Sequence, residues 1–240
     1  MVPRFYLDVP LRVGGVCTLP EDAAHHAIHV LRLREGEEVT LFNGRGGEFA
    51  ARISAMQRLR ISIDLLQHRP VERESPLRVT LVQGVSAGEK MDSTVRKAVE
   101  LGVDAVQPVL AARSVARPRG DRAESRRDHW QKVAIAACEQ CGRNVIPQVL
   151  QLAPLSQFVA GTAPLKLLLS PLSELPLSKV QLDYPSILVA AGPEAGFTAE
   201  EESALVAQGF VPVSLGPRVL RTETAAVAAL AALNALRGDS

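Results

Sequence analysis

Three groups of residues in this chain have types and spacings that chemistry uses. Gly84-Val-Ser-Ala-Gly88 has the G-x-S-x-G spacing of a serine nucleophile elbow. Cys138-Glu-Gln-Cys141 has the spacing of redox and zinc cysteines. Two glycine loops, Gly192-Pro-Glu-Ala-Gly196 and Leu215-Gly-Pro-Arg-Val-Leu-Arg221, each follow an apolar run and precede a helical pattern. An elbow hydrolase needs a histidine downstream of its serine, and only His129 qualifies, 43 residues on and inside an arginine-rich stretch. Ser86 and Glu89 also have capping-box spacing, so Ser86 is expected to cap the next helix. A hydrolase using Ser86 stays open as an alternative. The cysteine pair has no second pair, with Cys17 far away, and it closes a helical pattern. Buried small residues and no metal are the expectation.

The glycine loops gain meaning from the elements that must hold them. Residues 1–68 alternate in period two over Glu38–Asn43, Glu48–Met56 and Leu59–Leu66, with a Gly44-Arg-Gly-Gly turn and one helical segment at Glu21–Leu31. Short strands joined by glycine turns predict a small barrel. The polar, proline-bracketed stretch Arg69–Pro76 predicts a division into a domain over 1–70, a linker over 71–76 and a second domain over 77–240. In that second domain, strands are expected at Arg78–Gln83, Ala105–Val109, Leu165–Leu169, Ser186–Ala191 and Phe210–Ser214. Helices are expected at Met91–Gly102, Arg122–Gln140, Thr198–Ala207 and Glu223–Leu236, with Thr198 and Glu201 forming a second capping box. Alternation of this kind predicts an α/β fold with a mostly parallel sheet. Loops at its strand ends form the usual ligand crevice. Their spacing is neither a Rossmann nor a Walker fingerprint, and Glu194 opposes a bound phosphate.

Composition narrows the class. At 240 residues the chain predicts one or two domains of about 150 residues each. No apolar run approaches the roughly 18 residues of a membrane span; the longest, Ala225–Leu236, contains Asn234. The first residues lack the apolar core of a signal peptide. With three cysteines and no disulfide framework, a reducing cytoplasm is the expectation. Net charge is +1, but six arginines face three acids between Arg113 and Asp128.

Gly192-Pro-Glu-Ala-Gly-Phe197, Leu215-Gly216 and Val219-Leu-Arg-Thr-Glu-Thr-Ala225 resemble the cofactor loops of the SPOUT methyltransferases. Within that group the chain most resembles the bacterial small-subunit (16S) ribosomal RNA uridine N3-methyltransferases. Pro3-Arg-Phe-Tyr6, His29-Val-Leu-Arg32, Gly36 and Leu41-Phe-Asn-Gly44 look like that family's PUA-like N-terminal barrel. Lys90-Met-Asp92, Lys97–Val103, Pro108 and Glu139–Arg143 match further segments in the same order. The resemblance implies a trefoil-knotted α/β domain that binds S-adenosylmethionine, a homodimer, and a 16S ribosomal RNA substrate, with ribose 2′-O-methylation as the nearest alternative. It also implies cofactor contacts from Leu169, Ala191, Gly192 and Gly196, and from Leu215, Gly216, Val219, Leu220 and Ala225. On that resemblance Arg221 and Glu223 are the expected catalytic residues, Arg221 to stabilise charge on the base and Glu223 to position Arg221 or accept the N3 proton. Arg4 and Arg32, with Arg113, Arg117, Arg119, Arg122, Arg126 and Arg127, are the RNA-binding candidates. The family usually has glycine where this chain has Ala195, and a methyl group fits there provided that the residue needs no positive φ.

Overall fold

A computed structural model of the chain describes residues 2–58 and 60–238. The N-terminal unit is built from β1 (Arg4–Tyr6), β2 (Val16–Thr18), α1 (Glu21–His25), β3 (Glu38–Phe42), β4 (Glu48–Gln57) and β5 (Arg60–Arg69). One turn of π-helix, His26–Val30, continues α1. The strands form a five-stranded sheet in the order β1-β3-β4-β5-β2, with β1 parallel to β3 and the other pairs antiparallel. Leu59, the expected first residue of the third alternating strand, lies outside the described residues. Alternation decides which face is inside: Ile61, Ile63 and Leu65 are buried, while Ser62 and Asp64 are only partly so. Register shifts at Ala50/Ala51 and Ile53/Ala55 curl the long β4–β5 pair.

The chain packs into two compact units, residues 1–74 with 138–146, and residues 75–137 with 147–240. The segment 138–146 therefore joins the N-terminal unit, which a linear division at 71–76 does not contain. Its side chains account for this. Asn144 donates to the Val71 carbonyl at 2.6 Å and accepts from Arg4 at 2.6 Å. Arg143 pairs with Glu74, and the Tyr6 amide donates to Glu139 at 2.9 Å.

The second unit runs β6 (Arg78–Gly84), α2 (Glu89–Glu100), β7 (Ala105–Leu110), α3 (Asp121–Cys141, whose last turn belongs to the first unit), β8 (Gln148–Val149), β9 (Ala153–Pro154) and β10 (Leu165–Leu169), followed by β11 (Ser186–Ala191), α4 (Ala199–Ala207), β12 (Val211–Val213) and α5 (Thr222–Arg237). All its strand pairings are parallel, in the order β12-β10-β11-β6-β7-β8 with β9 beside β7. The apolar runs are strands buried on both faces, as helix-covered parallel sheets require. Val82, Leu168, Ala190 and Phe210 belong to one such core.

Helix starts divide the two expected capping boxes. At α4 the Thr198 hydroxyl accepts from the Glu201 amide at 3.2 Å and the Glu201 carboxylate accepts from the Thr198 amide at 2.9 Å. At α2 the expectation fails. Its N-cap is Gly88, at φ +56, with no side-chain cap. Ser86 instead donates to the Gly84 carbonyl at 3.4 Å. The chain makes an extra turn through Gly88 before the helix begins, which carries Ser86 out of capping position.

Candidate functional site

Parallel neighbours β12, β10, β11 and β6 all end on the same side of the sheet. Their C-terminal ends release the loops that begin at Ser214, Ser170, Gly192 and Val85. A pocket opens among two of these loops and the start of α5, lined by Leu169, Ser170, Pro171, Val213, Leu215, Gly216, Arg218, Leu220 and Ala225. Five residues expected at a cofactor, Leu169, Leu215, Gly216, Leu220 and Ala225, therefore meet in one place. Ser170, Pro171, Val213 and Arg218 complete the lining, and the Ser-Pro turn straight after β10 is a sequence signal for a loop at a strand end.

The other four expected contacts do not line this pocket. Val219 is 80% exposed, and Ala191 is buried within β11. Gly192 serves its own loop: a Cβ there would sit 3.0 Å from the Gly196 Cα and the Phe197 amide. Gly84 is tighter still, because a Cβ would meet the ring and nitrogen of Pro193 at 2.5 Å. Gly196 has φ +70 with open space around it, so it is glycine for its backbone conformation. Ala195 is not in that region, since Arg32 and Arg58 are the non-glycine residues with positive φ among those described. Its methyl group is therefore compatible with the turn.

A hydrogen-bond cluster lies beneath these loops. Buried Gln83, near the end of β6, donates through Nε2 to the Gly84 carbonyl (3.0 Å), to Thr222 Oγ1 (3.1 Å) and to the Gly192 carbonyl (3.4 Å). Thr222 donates to the Gly192 carbonyl at 2.5 Å. Glu194 accepts from the Ala87 amide (3.0 Å) and from Lys90 (3.4 Å). Burial alone would raise its pKa, but these donors hold it below the usual glutamate range. Arg113 donates to the carbonyls of Ala195 (3.1 Å) and Phe197 (3.4 Å), which ties the start of the arginine-rich segment to the same loop.

Arg221 is exposed at the N-cap of α5. Glu223, two residues further on in the first turn of α5, is partly buried, and its Oε2 has no hydrogen-bond partner among the described residues. No hydrogen bond or ion pair joins the two among those residues, so Glu223 does not hold Arg221 in this conformation.

The remaining candidates separate by surroundings. Ser86 is 3% exposed, and His129 pairs with Asp92 at 2.8 Å, so the elbow reading has neither an accessible nucleophile nor a base beside it. Burial pushes the Cys138 thiol up to about 12, which keeps it protonated at neutral pH. Among the described residues no cluster of metal-ligating side chains is found. Arg4 is not a free cation. Its side chain is 8% exposed, bonded to Glu48 at 2.6 Å and stacked over Phe42. Arg117 and Arg127 bond to backbone carbonyls, and Arg127 also pairs with Asp128. Arg32, Arg119, Arg122 and Arg126 are exposed.

An RNA methyltransferase domain family matches residues 73–234, and an RNA methyltransferase PUA domain family matches residues 19–66. Ribosomal RNA small subunit methyltransferase E of Buchnera aphidicola is 30% identical, covering 99% of this chain and 98% of that one. The enzyme of the same name from Bacillus subtilis is 31% identical, covering 98% and 99%. Among solved structures, a methyltransferase of Legionella pneumophila with bound S-adenosylmethionine is 38% identical over the whole of both chains, with a TM-score of 0.96. Ribosomal RNA small subunit methyltransferase E of Neisseria gonorrhoeae, bound to S-adenosylmethionine, is 39% identical over 100% of this chain and 99% of that one, with a TM-score of 0.92. The fold is thus that of these SPOUT-type enzymes, and the chain belongs to the RNA methyltransferase family that carries a PUA domain.

Proposed function

We propose that this protein transfers a methyl group from S-adenosylmethionine to N3 of a uridine in 16S ribosomal RNA, acting on the small subunit. The supporting observation is the pocket at the ends of β10 and β12, where five residues expected at the cofactor meet. The residues there fit that group. Apolar walls come from Leu169, Leu215, Leu220 and Ala225. Among the described residues, no hydrogen bond uses the backbone amides of Leu215, Gly216, Val219 or Leu220. A purine read by main-chain groups needs such free donors and acceptors between apolar faces. Gly192 and Gly196 shape the neighbouring loop.

When bound, S-adenosylmethionine supplies an electrophilic methyl group on its sulfonium. Uracil N3 carries a proton at neutral pH, so the protein must accept that proton or stabilise the uracil anion. Glu223 brings a carboxylate oxygen with no donor, and it serves as the proton acceptor. Arg221, exposed two residues before it, stabilises charge on the uracil carbonyl oxygens. Arg32, Arg119, Arg122 and Arg126 contact phosphates and position the RNA without reading sequence. Arg113, Arg117 and Arg127 support that surface through the carbonyls they hold.

The protein works as a homodimer in the bacterial cytoplasm, with the N-terminal unit as the RNA-binding part and the second unit as the transferase. Leu172 and Val219, 90% and 80% exposed on the loops beside the pocket, are apolar groups that a second copy would cover. No helix among the described residues is long and apolar enough to cross a membrane.

The test is incubation with methyl-labelled S-adenosylmethionine and unmodified small subunits, then digestion to nucleosides and mass spectrometry. Label in 3-methyluridine is the expected result. Label in a 2′-O-methylated nucleoside would reassign the target atom, and no label with intact cofactor binding would reassign the RNA.

A further inference from the structure

Gln83 and Thr222 stand where nothing in their own elements requires them. Gln83 is completely buried on β6, between β11 and β7, a position that parallel sheets normally fill with aliphatic side chains. Thr222 is 8% exposed in the first turn of α5. Their hydrogen bonds have one consistent direction. The Thr222 hydroxyl has a single proton, and donates it to the Gly192 carbonyl at 2.5 Å. Its oxygen can then only accept, so the group facing it on Gln83 must be the amide nitrogen. The carbonyls of Gly84 and Gly192 face the same nitrogen and demand the same orientation.

Fixing the amide this way has a cost. Gln83 Oε1 is left buried with no partner among the described residues. An unsatisfied buried acceptor destabilises the folded state, and an aliphatic residue in the sheet would avoid it. A local cost that stability does not explain points to function. The cluster joins three segments that meet at the crevice: the end of β6, the loop after β11, and the start of α5. Thr222 lies between Arg221 and Glu223, so whatever holds Thr222 also fixes the backbone from which both flanking side chains project.

We propose that Gln83 and Thr222 are positioning residues for methyl transfer, clamping the start of α5 to the Gly192 loop so that Arg221 and Glu223 face the reacting base. The assignment rests on the proposed methyltransferase reading. It predicts a split between cofactor binding, which depends on the pocket beyond the clamp, and the transfer step, which depends on the flanking side chains.

The test compares Thr222→Val, which keeps the shape and removes the hydroxyl, with Thr222→Ser, which restores it. Gln83→Met is a second variant, a flexible residue that fills the same space without an amide. Each is measured for thermal midpoint, for S-adenosylmethionine affinity by calorimetry, and for single-turnover transfer to small subunits at saturating cofactor. A misplacement on the scale of an ångström costs up to about 100-fold in rate. Thr222→Val and Gln83→Met are expected to lose about 10- to 100-fold in transfer rate while cofactor affinity stays within about threefold. Thr222→Ser is expected to recover most of the rate. Transfer rates within about threefold of the parent in folded Thr222→Val or Gln83→Met would overturn the assignment. So would a loss that saturating cofactor restores, or one that Thr222→Ser fails to recover. If Thr222→Val does not fold, Gln83→Met and Thr222→Ser decide by the same criteria. Absence of transfer by the parent itself would fault the methyltransferase reading instead.

Discussion

Arg4, Arg221 and Arg119 are the same side chain in three settings, and the settings decide what each does. Arg4 neutralises Glu48, which is 7% exposed and also bonded by Arg73 at 3.1 Å. Burial would raise the Glu48 pKa, but the two guanidinium groups hold it below the ordinary value. Such a carboxylate contributes stability above its unfolded pKa and loses it as pH falls through the lowered folded value. Glu48→Gln is therefore expected to lower the thermal midpoint at pH 7. The gap to the parent should close as pH drops below about 4, measured as midpoint against pH. Removing Arg4 instead strands a buried charge, which costs about 3 kcal/mol with Arg73 still in place. Arg4→Ala should thus unfold the protein at clearly lower denaturant while leaving the salt dependence of RNA binding unchanged. Arg221 has the opposite profile. Arg221→Ala should leave the thermal midpoint nearly unchanged and reduce single-turnover transfer by about 100-fold or more. Normal turnover with intact cofactor binding would remove it from the chemistry.

At the scale of elements, caps and glycines show which local rules hold. The α4 capping box was readable from Thr198 and Glu201 alone, and it forms. Thr198→Ala should cost about 1 kcal/mol, a fall of about 2–4 °C in thermal midpoint for a domain of this size. The same spacing at Ser86 and Glu89 misled, because Gly88 extends the turn. Period-two alternation found β3, β4 and β5, and buried apolar runs found β6, β7, β10 and β11. The two-residue strands β8 and β9 are too short to carry a period. Of the crevice, Leu215, Gly216 and Leu220 were legible through family resemblance. Gln83 was not, since a lone glutamine at a strand end has meaning only once Gly192 and Thr222 are beside it. Glycine roles also needed the fold. Gly84→Ala places a methyl group 2.5 Å from Pro193, whereas Gly196→Ala meets open space and suffers only from φ +70. Gly84→Ala should therefore displace the Gly192 loop and cost about 1–3 kcal/mol from overpacking. Gly196→Ala should cost less and leave the loop in place, a difference visible in thermal midpoints and amide exchange of residues 192–197.

For the molecule as a whole, charge placement matters more than charge total. A net +1 leaves little general attraction to a polyanion. The assignment of Cys138–Ile146 to the N-terminal unit was beyond sequence periodicity, because it depends on bonds such as Arg4 to Asn144 across 140 positions of chain. The arginine-rich segment divides in the same structural way. Arg113, Arg117 and Arg127 are engaged with backbone carbonyls, while Arg119, Arg122 and Arg126 are exposed, with Arg122 and Arg126 on α3 and Arg119 just before it. Phosphate contact by the exposed three releases counterions, so each contributes about 0.7–0.9 to the slope of log affinity against log salt. Replacing all three with alanine should flatten that slope by about 2 to 3 and weaken binding to small-subunit RNA roughly equally for any sequence. The cofactor affinity should not move, because the pocket among the β10 and β12 loops contains none of them. A slope unchanged in the triple variant would mean that these guanidinium groups stay in water when RNA binds, and Arg32 on the N-terminal unit would become the next cation to replace.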